Sequence, residues 1–183
     1  IDPLGIWLTE VVTRHTEALM ALLGQTNPAD FEIVNGGQFN NPAGRNTFLF
    51  YIPEDDHQIY YTILVACTGV GSTAVIVGLI AAVSADLRRK MTAIALAVGI
   101  IYVLNIVRNV SIALVYGHQY AHFFPDLTMT VFGLDNPLRV SYIWIDRIAA
   151  QSASVVAMLL IIWLLVRIVP EILEPLEDVL YLL

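Results

Sequence analysis

The chain has 183 residues, one domain's length, of which 57% are apolar and 14% charged, with a formal net charge of −7. The charged share falls well below the roughly 25% of a soluble domain, and the mean hydropathy is +0.71. The acidic balance argues against a nucleic-acid partner, whose phosphates need a basic patch. With Lys90 the only lysine, it points to life in high salt, and one cysteine excludes an intrachain disulfide.

Residues 4–23 place Leu8, Val11, Val12, His15, Leu19, Leu22 and Leu23 at helical spacing, with Glu10, Arg14 and Glu17 off the stripe. This predicts an amphipathic helix, too charged for an ordinary span, lying at a membrane interface. Residues 31–34 and 48–52 read as two short strands of a β-hairpin around a loop containing Asn35, Gly36, Gly37, Asn40, Asn41, Pro42 and Gly44. Pro53 followed by Glu54, Asp55 and Asp56 predicts the start of the next helix. Tyr60 and Tyr61 fall where an aromatic belt would lie.

Residues 62–83, 91–116 and 148–169 are apolar runs of 22 or more residues. At about 1.5 Å per residue each reaches the roughly 30 Å of bilayer hydrocarbon. A soluble chain this short has too little polar sequence to cover such helices. The predicted fold is an all-α polytopic membrane protein with at least three transmembrane helices and a small N-terminal module. Arg88, Arg89 and Lys90 make the dense basic cluster, which places residues 84–90 in the cytoplasm by the positive-inside rule. Alternation then sets residues 1–57 outside the cell and residues 58–169 in the membrane as the catalytic core. Residues 117–146 form an outer loop, and residues 170–183 an acidic cytoplasmic tail.

Arg108 is the anomaly of the second run. An arginine deep in a bilayer costs at least about 3 kcal/mol and faces a partner or a wet cavity. Asn105 and Asn109 share its helical face. Cys67 lies six residues past Tyr61, or about 9 Å of helical rise, and Arg108 eight residues before Tyr116, or about 12 Å. Arg147 begins the third run. All three are expected on one leaflet. A thiol must ionise to attack, and neighbouring cations favour the thiolate, so Cys67 is the candidate nucleophile with Arg108 and Arg147 beside it. Arginine stays protonated, so its roles are holding a thiolate or an oxyanion. The helix dipole adds little, since Cys67 is expected several turns into its helix. Gly71, Ala74 and Gly78 would continue its face as a small-residue packing surface. Asp146 either orients Arg147 or caps the third span. His118 and His122, spaced i, i+4 with Asp126 beyond, would make a zinc site only if helical; no metal or cofactor is predicted.

The segment Ala66-Cys67-Thr68-Gly69, then Gly71-Ser72, Asn105-Ile106-Val107-Arg108-Asn109 and Asp146-Arg147, resembles the archaeosortase/exosortase family, most closely its archaeal branch. The resemblance covers roughly residues 60–169. Relatives in the family have more spans, so further spans are expected upstream of Ile1. The resemblance implies a membrane cysteine transpeptidase with Cys67, Arg108 and Arg147 as catalytic residues. Its expected substrates are secreted surface proteins, the S-layer glycoprotein foremost. They carry a C-terminal Pro-Gly-Phe-type motif, a hydrophobic helix and a basic end, and a membrane lipid is the expected acyl acceptor. Two other readings stay open: a transporter or channel with Arg108 as an anion site, and a structural subunit whose polar residues only hold helices together.

Overall fold

The computed structural model describes residues 3–25, 31–39, 43–52 and 57–173. In chain order they form α1 (Pro3–Leu22), β1 (Phe31–Asn35), β2 (Arg45–Ile52), β3 (His57–Thr62) and a 3₁₀ turn, Val65–Thr68. Then follow α2 (Val70–Ala82), α3 (Leu87–Gly117), α4 (Pro125–Phe132), α5 (Arg139–Tyr142), a π-helical segment Ile143–Ala150 and α6 (Gln151–Ile168). They divide into two compact units: Ile1–Thr68 with Asn105–Ser152, and Gly69–Leu104 with Ala153–Leu183.

The first unit is built on an antiparallel sheet of order β1-β2-β3, so the all-α expectation with a simple hairpin is corrected. The central strand β2 is buried on both faces, Phe48, Leu49 and Phe50 included, which is why it shows no alternation. β3 does alternate: Ile59 and Tyr61 are buried while Gln58 and Tyr60 face out. Its backbone finds its partners in the ladder with β2, where Phe48 pairs with Tyr61 and Phe50 with Ile59. A helix therefore does not run through residues 57–62. The predicted helix start at Pro53 to Asp56 lies outside the described residues.

α1 exists as expected, but its packed face is rotated from the leucine stripe. Gly5, Thr9, Val12, Thr13, Thr16 and Met20 are buried, while His15, Leu22 and Leu23 are exposed. Threonines tolerate burial here because each hydroxyl bonds back along the helix: Thr9 to the Ile6 carbonyl, Thr13 to Thr9 and Thr16 to Val12, each at 2.8 Å. A satisfied hydroxyl removes the penalty of burying a polar group. This face packs on β2 and on the 3₁₀ turn Val65–Thr68. Glu10 accepts the Arg45 backbone N–H at 3.1 Å. Beside it, Gly44 at φ 126° leaves no room for a side chain: a Cβ would lie 3.1 Å from Ile6.

In the second unit Ile76, Ile80, Ala93, Ala97, Ile101, Ile161 and Leu165 form an apolar core. The basic cluster is not a loop, because α3 begins at Leu87. Part of its charge serves locally. Lys90 donates to the Ala81 carbonyl at 3.0 Å, closing the last turn of α2. Arg89 pairs with Glu171 at 3.8 Å.

Two helices are long and apolar enough to cross a membrane, Leu87–Gly117 and Arg139–Ile168. Their most apolar windows are only 22% and 11% buried, the opposite of a soluble core helix. α2, with 13 residues, rises about 20 Å and falls short of a full span, so the first expected span, residues 62–83, is not present as one helix. The predicted outer loop holds the helix α4, and the last long helix begins within that loop, at Arg139, with α5 as its first turn.

Gly117 ends α3 where a Cβ would lie 2.5 Å from the Phe50 ring, whereas a Cβ on Gly78 of α2 meets nothing within 4 Å. Gly117→Ala is therefore expected to cost about 1–3 kcal/mol through overpacking. Gly78→Ala should be neutral or gain up to about 1 kcal/mol from helix propensity. Thermal unfolding of both variants in detergent checks this; equal effects would contradict the close approach at Gly117.

Candidate active site

Cys67 does not lie within a transmembrane helix. It follows β3 on the 3₁₀ turn Val65–Thr68, its N–H bonded to the Leu64 carbonyl at 2.8 Å. Gly69, at φ 78°, then breaks the chain direction before α2. Two expectations fall with this. The 9 Å depth assumed a continuous helix from Tyr61, and the shared face with Gly71, Ala74 and Gly78 assumed the same. The thiol is free and half-buried.

Two consecutive residues of α3 tie the site together. Asn109 is fully buried. Its amide N–H donates to the Cys67 carbonyl at 3.0 Å, and its Oδ1 accepts the Tyr61 hydroxyl at 2.8 Å. The turn bearing the thiol is thus held to α3 and to β3 through one amide. Tyr61 stands in β3, before the apolar run; burial, and next the nearby Cys67, push its hydroxyl well above the ordinary 10, so it remains a donor.

Arg108, the preceding residue, donates from Nη2 to Asp146 Oδ1 at 2.5 Å. Asp146 is 6% exposed. The sequence offered Asp146 as a partner for Arg147 or as a helix cap; the structure gives it to Arg108 instead. Both residues stand on the π-helical segment Ile143–Ala150, where adjacent side chains point in different directions. Asp146 is buried and Arg147 exposed there, on a segment of i→i+5 bonding of the kind common near functional sites. Arg108 remains within electrostatic reach of Cys67, and its buried Nε–H has no partner among the described residues. With Asp146 as an internal counter-ion, Arg108 is poorly suited to the anion site of a transporter. Asn105, half-buried one turn away, stands outside this network.

Cys67 and Arg147 line one cavity of about 500 Å³ in the first unit. Its walls carry Tyr60, Tyr61, Tyr116, Tyr142, Leu138 and Ile143, and Asn136 and Arg139 line it as well. Tyr116 and Tyr142 meet edge to face at 5.4 Å. Among the expected catalytic residues, the structure thus sets Cys67 and Arg147 on one cavity, while Arg108 stands directly before Asn109, whose amide holds the Cys67 carbonyl. Sequence reasoning missed the hydrogen-bonding role of Tyr61 and the positions of Tyr142 and Arg139. The alternation of Ile59, Tyr61 and Ile63 is the available signal for Tyr61; Arg139 falls within the expected outer loop, where no local pattern marks it.

His118 and His122 do not share a helical face, since α3 stops at Gly117 and Gln119 turns at φ 55°. His118 instead stacks on Tyr120 at 5.3 Å and meets the Phe50 ring edge-on at 5.8 Å.

Removing one partner of a largely buried ion pair leaves the other uncompensated. Asp146→Asn and Arg108→Gln are each expected to destabilise by about 2 kcal/mol or more, and the double variant by less than their sum. A double-mutant cycle on thermal unfolding should return a coupling of about 1–3 kcal/mol; additive effects would mean that the pair does not act as a unit.

Residues 1–139 match the transmembrane exosortase family, a stretch that includes Cys67 and Arg108 while Arg147 lies beyond it. The chain is 41% identical over 180 residues to archaeosortase A of Haloferax volcanii, covering 98% of this chain and 56% of that protein. It is 44% identical over 137 residues to archaeosortase A of Natronomonas pharaonis, covering 74% of this chain and 42% of that protein. The chain thus spans about half the length of the curated relatives it matches, and no solved structure matches it. With helices built for a bilayer and a family match over most of its length, the chain belongs to the transmembrane exosortase family and is a membrane protein.

Proposed function

We propose that this chain carries the catalytic core of a membrane cysteine transpeptidase that sorts secreted proteins. The observation that carries the reading is the junction of Cys67, Asn109 and Arg108: a free thiol on a turn tethered to α3, next to an arginine held by its own carboxylate. The similarity to archaeosortase A supports a substrate with a C-terminal tripartite signal of the Pro-Gly-Phe type, such as an S-layer glycoprotein, and a lipid as acyl acceptor.

The Cys67 thiolate attacks the scissile carbonyl, and the charge moves to oxygen. Arg108, and Arg147 from the cavity wall, stabilise that oxyanion. Its collapse breaks the C–N bond, the departing amine ends with the proton that the Cys67 thiol gave up, and a thioester remains on Cys67; one hard step becomes two easier ones. Asp146 fixes the Arg108 fork before reaction, so little reorganisation is needed when charge develops. Asn109 and Tyr61 position the nucleophile's backbone, and Asn105 and Asn109 give α3 its polar face. The reading keeps the active site at the extracytoplasmic face, where substrate helix and lipid both arrive.

Cys67→Ala is expected to abolish processing of a signal-bearing substrate in cells, and Cys67→Ser nearly so, because a hydroxyl lacking an adjacent base is a far weaker nucleophile. Near-normal processing by Cys67→Ala would end the cysteine reading. Arg108→Lys keeps the charge but loses the planar fork. At matched protein level it should lower cleavage about 10²–10³-fold; wild-type cleavage would leave Arg108 as helix glue. Orientation is checked separately: a cysteine placed within residues 84–90 should resist membrane-impermeant labelling of intact cells, and one within residues 117–146 should react.

A further inference from the structure

The helix α4 is inside out for a surface helix in water. Thr128 is buried, while Phe124, Leu127 and Val131, recurring at i, i+3 and i+7, are 70%, 64% and 66% exposed. Phe123 beside them is exposed as well, and the polar Asp126 and Thr130 lie to one side of the stripe. Phe124 precedes the helix at φ 46°, a left-handed conformation that a bulky residue adopts only at a cost. Two phenyl rings in succession thus stand in the open, with two more apolar side chains in line behind them.

What covers the stripe follows from where α4 is held. Residues 118–138 join the two helices long and apolar enough to cross a membrane. The indole N–H of Trp144 donates to the Phe123 carbonyl at 2.9 Å and to Thr128 Oγ1 at 3.3 Å, and the Phe123 and Trp144 rings meet edge to face at 5.9 Å. These contacts pin the start of α4 to the last long helix, a few residues before the apolar run begins at Ile148. That is about 6 Å of helical rise. Headgroups add several ångströms to each side of the roughly 30 Å hydrocarbon core, so the pinned end of α4 falls within their layer. Residues 118–138 contain no Lys or Arg, and none is needed, since the long helices already hold the segment at the surface. A stripe this small also falls far short of the roughly 20–30 residues a side that a stable protein interface takes.

We propose that α4 is an interfacial anchor, with Phe124, Leu127 and Val131 seated at the boundary between lipid headgroups and acyl chains. The aromatic share of the stripe suits that layer, and its apolar side chains gain there what they would lose in water. The anchor needs only the membrane, not the chemistry at Cys67. It adjoins the candidate active site all the same: the chain leaving α4 at Gly133 passes through Leu134, Asn136 and Leu138, all of which line the Cys67 cavity. One wall of that cavity is thereby tied to the membrane surface.

The test puts Leu127→Cys, Val131→Cys or Thr130→Cys into the full chain on a Cys67→Ala background and attaches a nitroxide spin label. The protein is reconstituted in vesicles of phosphatidylcholine and phosphatidylglycerol. Power saturation is read with oxygen, which partitions into lipid, and with a nickel chelate, which stays in water. Labels at positions 127 and 131 should be reached by oxygen and shielded from nickel, at a depth of about 5–10 Å; the label at position 130 should show the reverse. Nickel access at 127 and 131 equal to that at 130 would overturn the anchor. Shielding of 127 and 131 from both reagents would overturn it too, since a protein surface would then cover the stripe. A benzophenone photocrosslinker in place of Leu127, irradiated in cells that also express a signal-bearing substrate, identifies the cover directly. Phospholipid adducts are expected; a second copy of the chain or the substrate's apolar helix as the main adduct would refute the assignment to lipid.

Discussion

An arginine in an apolar helix must be answered by a counter-charge, and in this protein the answer organises the site. Arg108 sits in α3, whose most apolar window has a mean hydropathy of 2.0. Left alone in hydrocarbon it would cost several kcal/mol. Asp146 meets it, itself buried at 6% exposure. That pairing draws the beginning of the last long helix onto α3. The neighbouring Asn109 then draws in β3 and the turn bearing Cys67. Two adjacent side chains thus gather segments that lie some 40 residues apart on either side in sequence.

The same network separates two kinds of arginine. Arg108 is held, half-buried and committed to its carboxylate; Arg147, one residue past Asp146, is exposed on the cavity wall. A held arginine offers fixed geometry to a charge that develops during reaction. An exposed one offers charge to whatever enters. The division follows from their adjacency on one helical segment, where successive side chains point in different directions and only Asp146 meets α3.

The two units obey different solvents. In the first, the sheet and α1 bury Phe48, Phe50, Ile59, Met20 and Val12 as a water-soluble domain would. In the second, Val155, Val156, Leu159, Leu160 and Trp163 stand exposed on α6. In lipid that exposure is no penalty, because hydrocarbon tails are as apolar as leucine and helix association comes from packing and polar contacts. The small residues of α2 have open space around them: neither Gly71 nor Gly78 meets a neighbouring atom within 4 Å of a Cβ position.

Much of this was legible from residue order. Long apolar runs announced the membrane, since no soluble surface could cover them. The intramembrane Arg108, the lone Cys67 and the Asp146-Arg147 step stood out because each residue type is costly or reactive where it occurs. Tertiary structure decided the rest. β3 continues directly into an apolar run, and nothing local marks where ladder bonding to β2 gives way to a helix, so Cys67 was expected on a helix and lies on a turn. The buried face of α1 was misread because threonine counts as polar until its hydroxyl is seen bonded to its own helix. The partner of Asp146 could not be read from adjacency, because charge pairing is set by which helix faces which. Composition and periodicity determine what must leave water; only the folded chain decides which polar groups, buried together, satisfy one another.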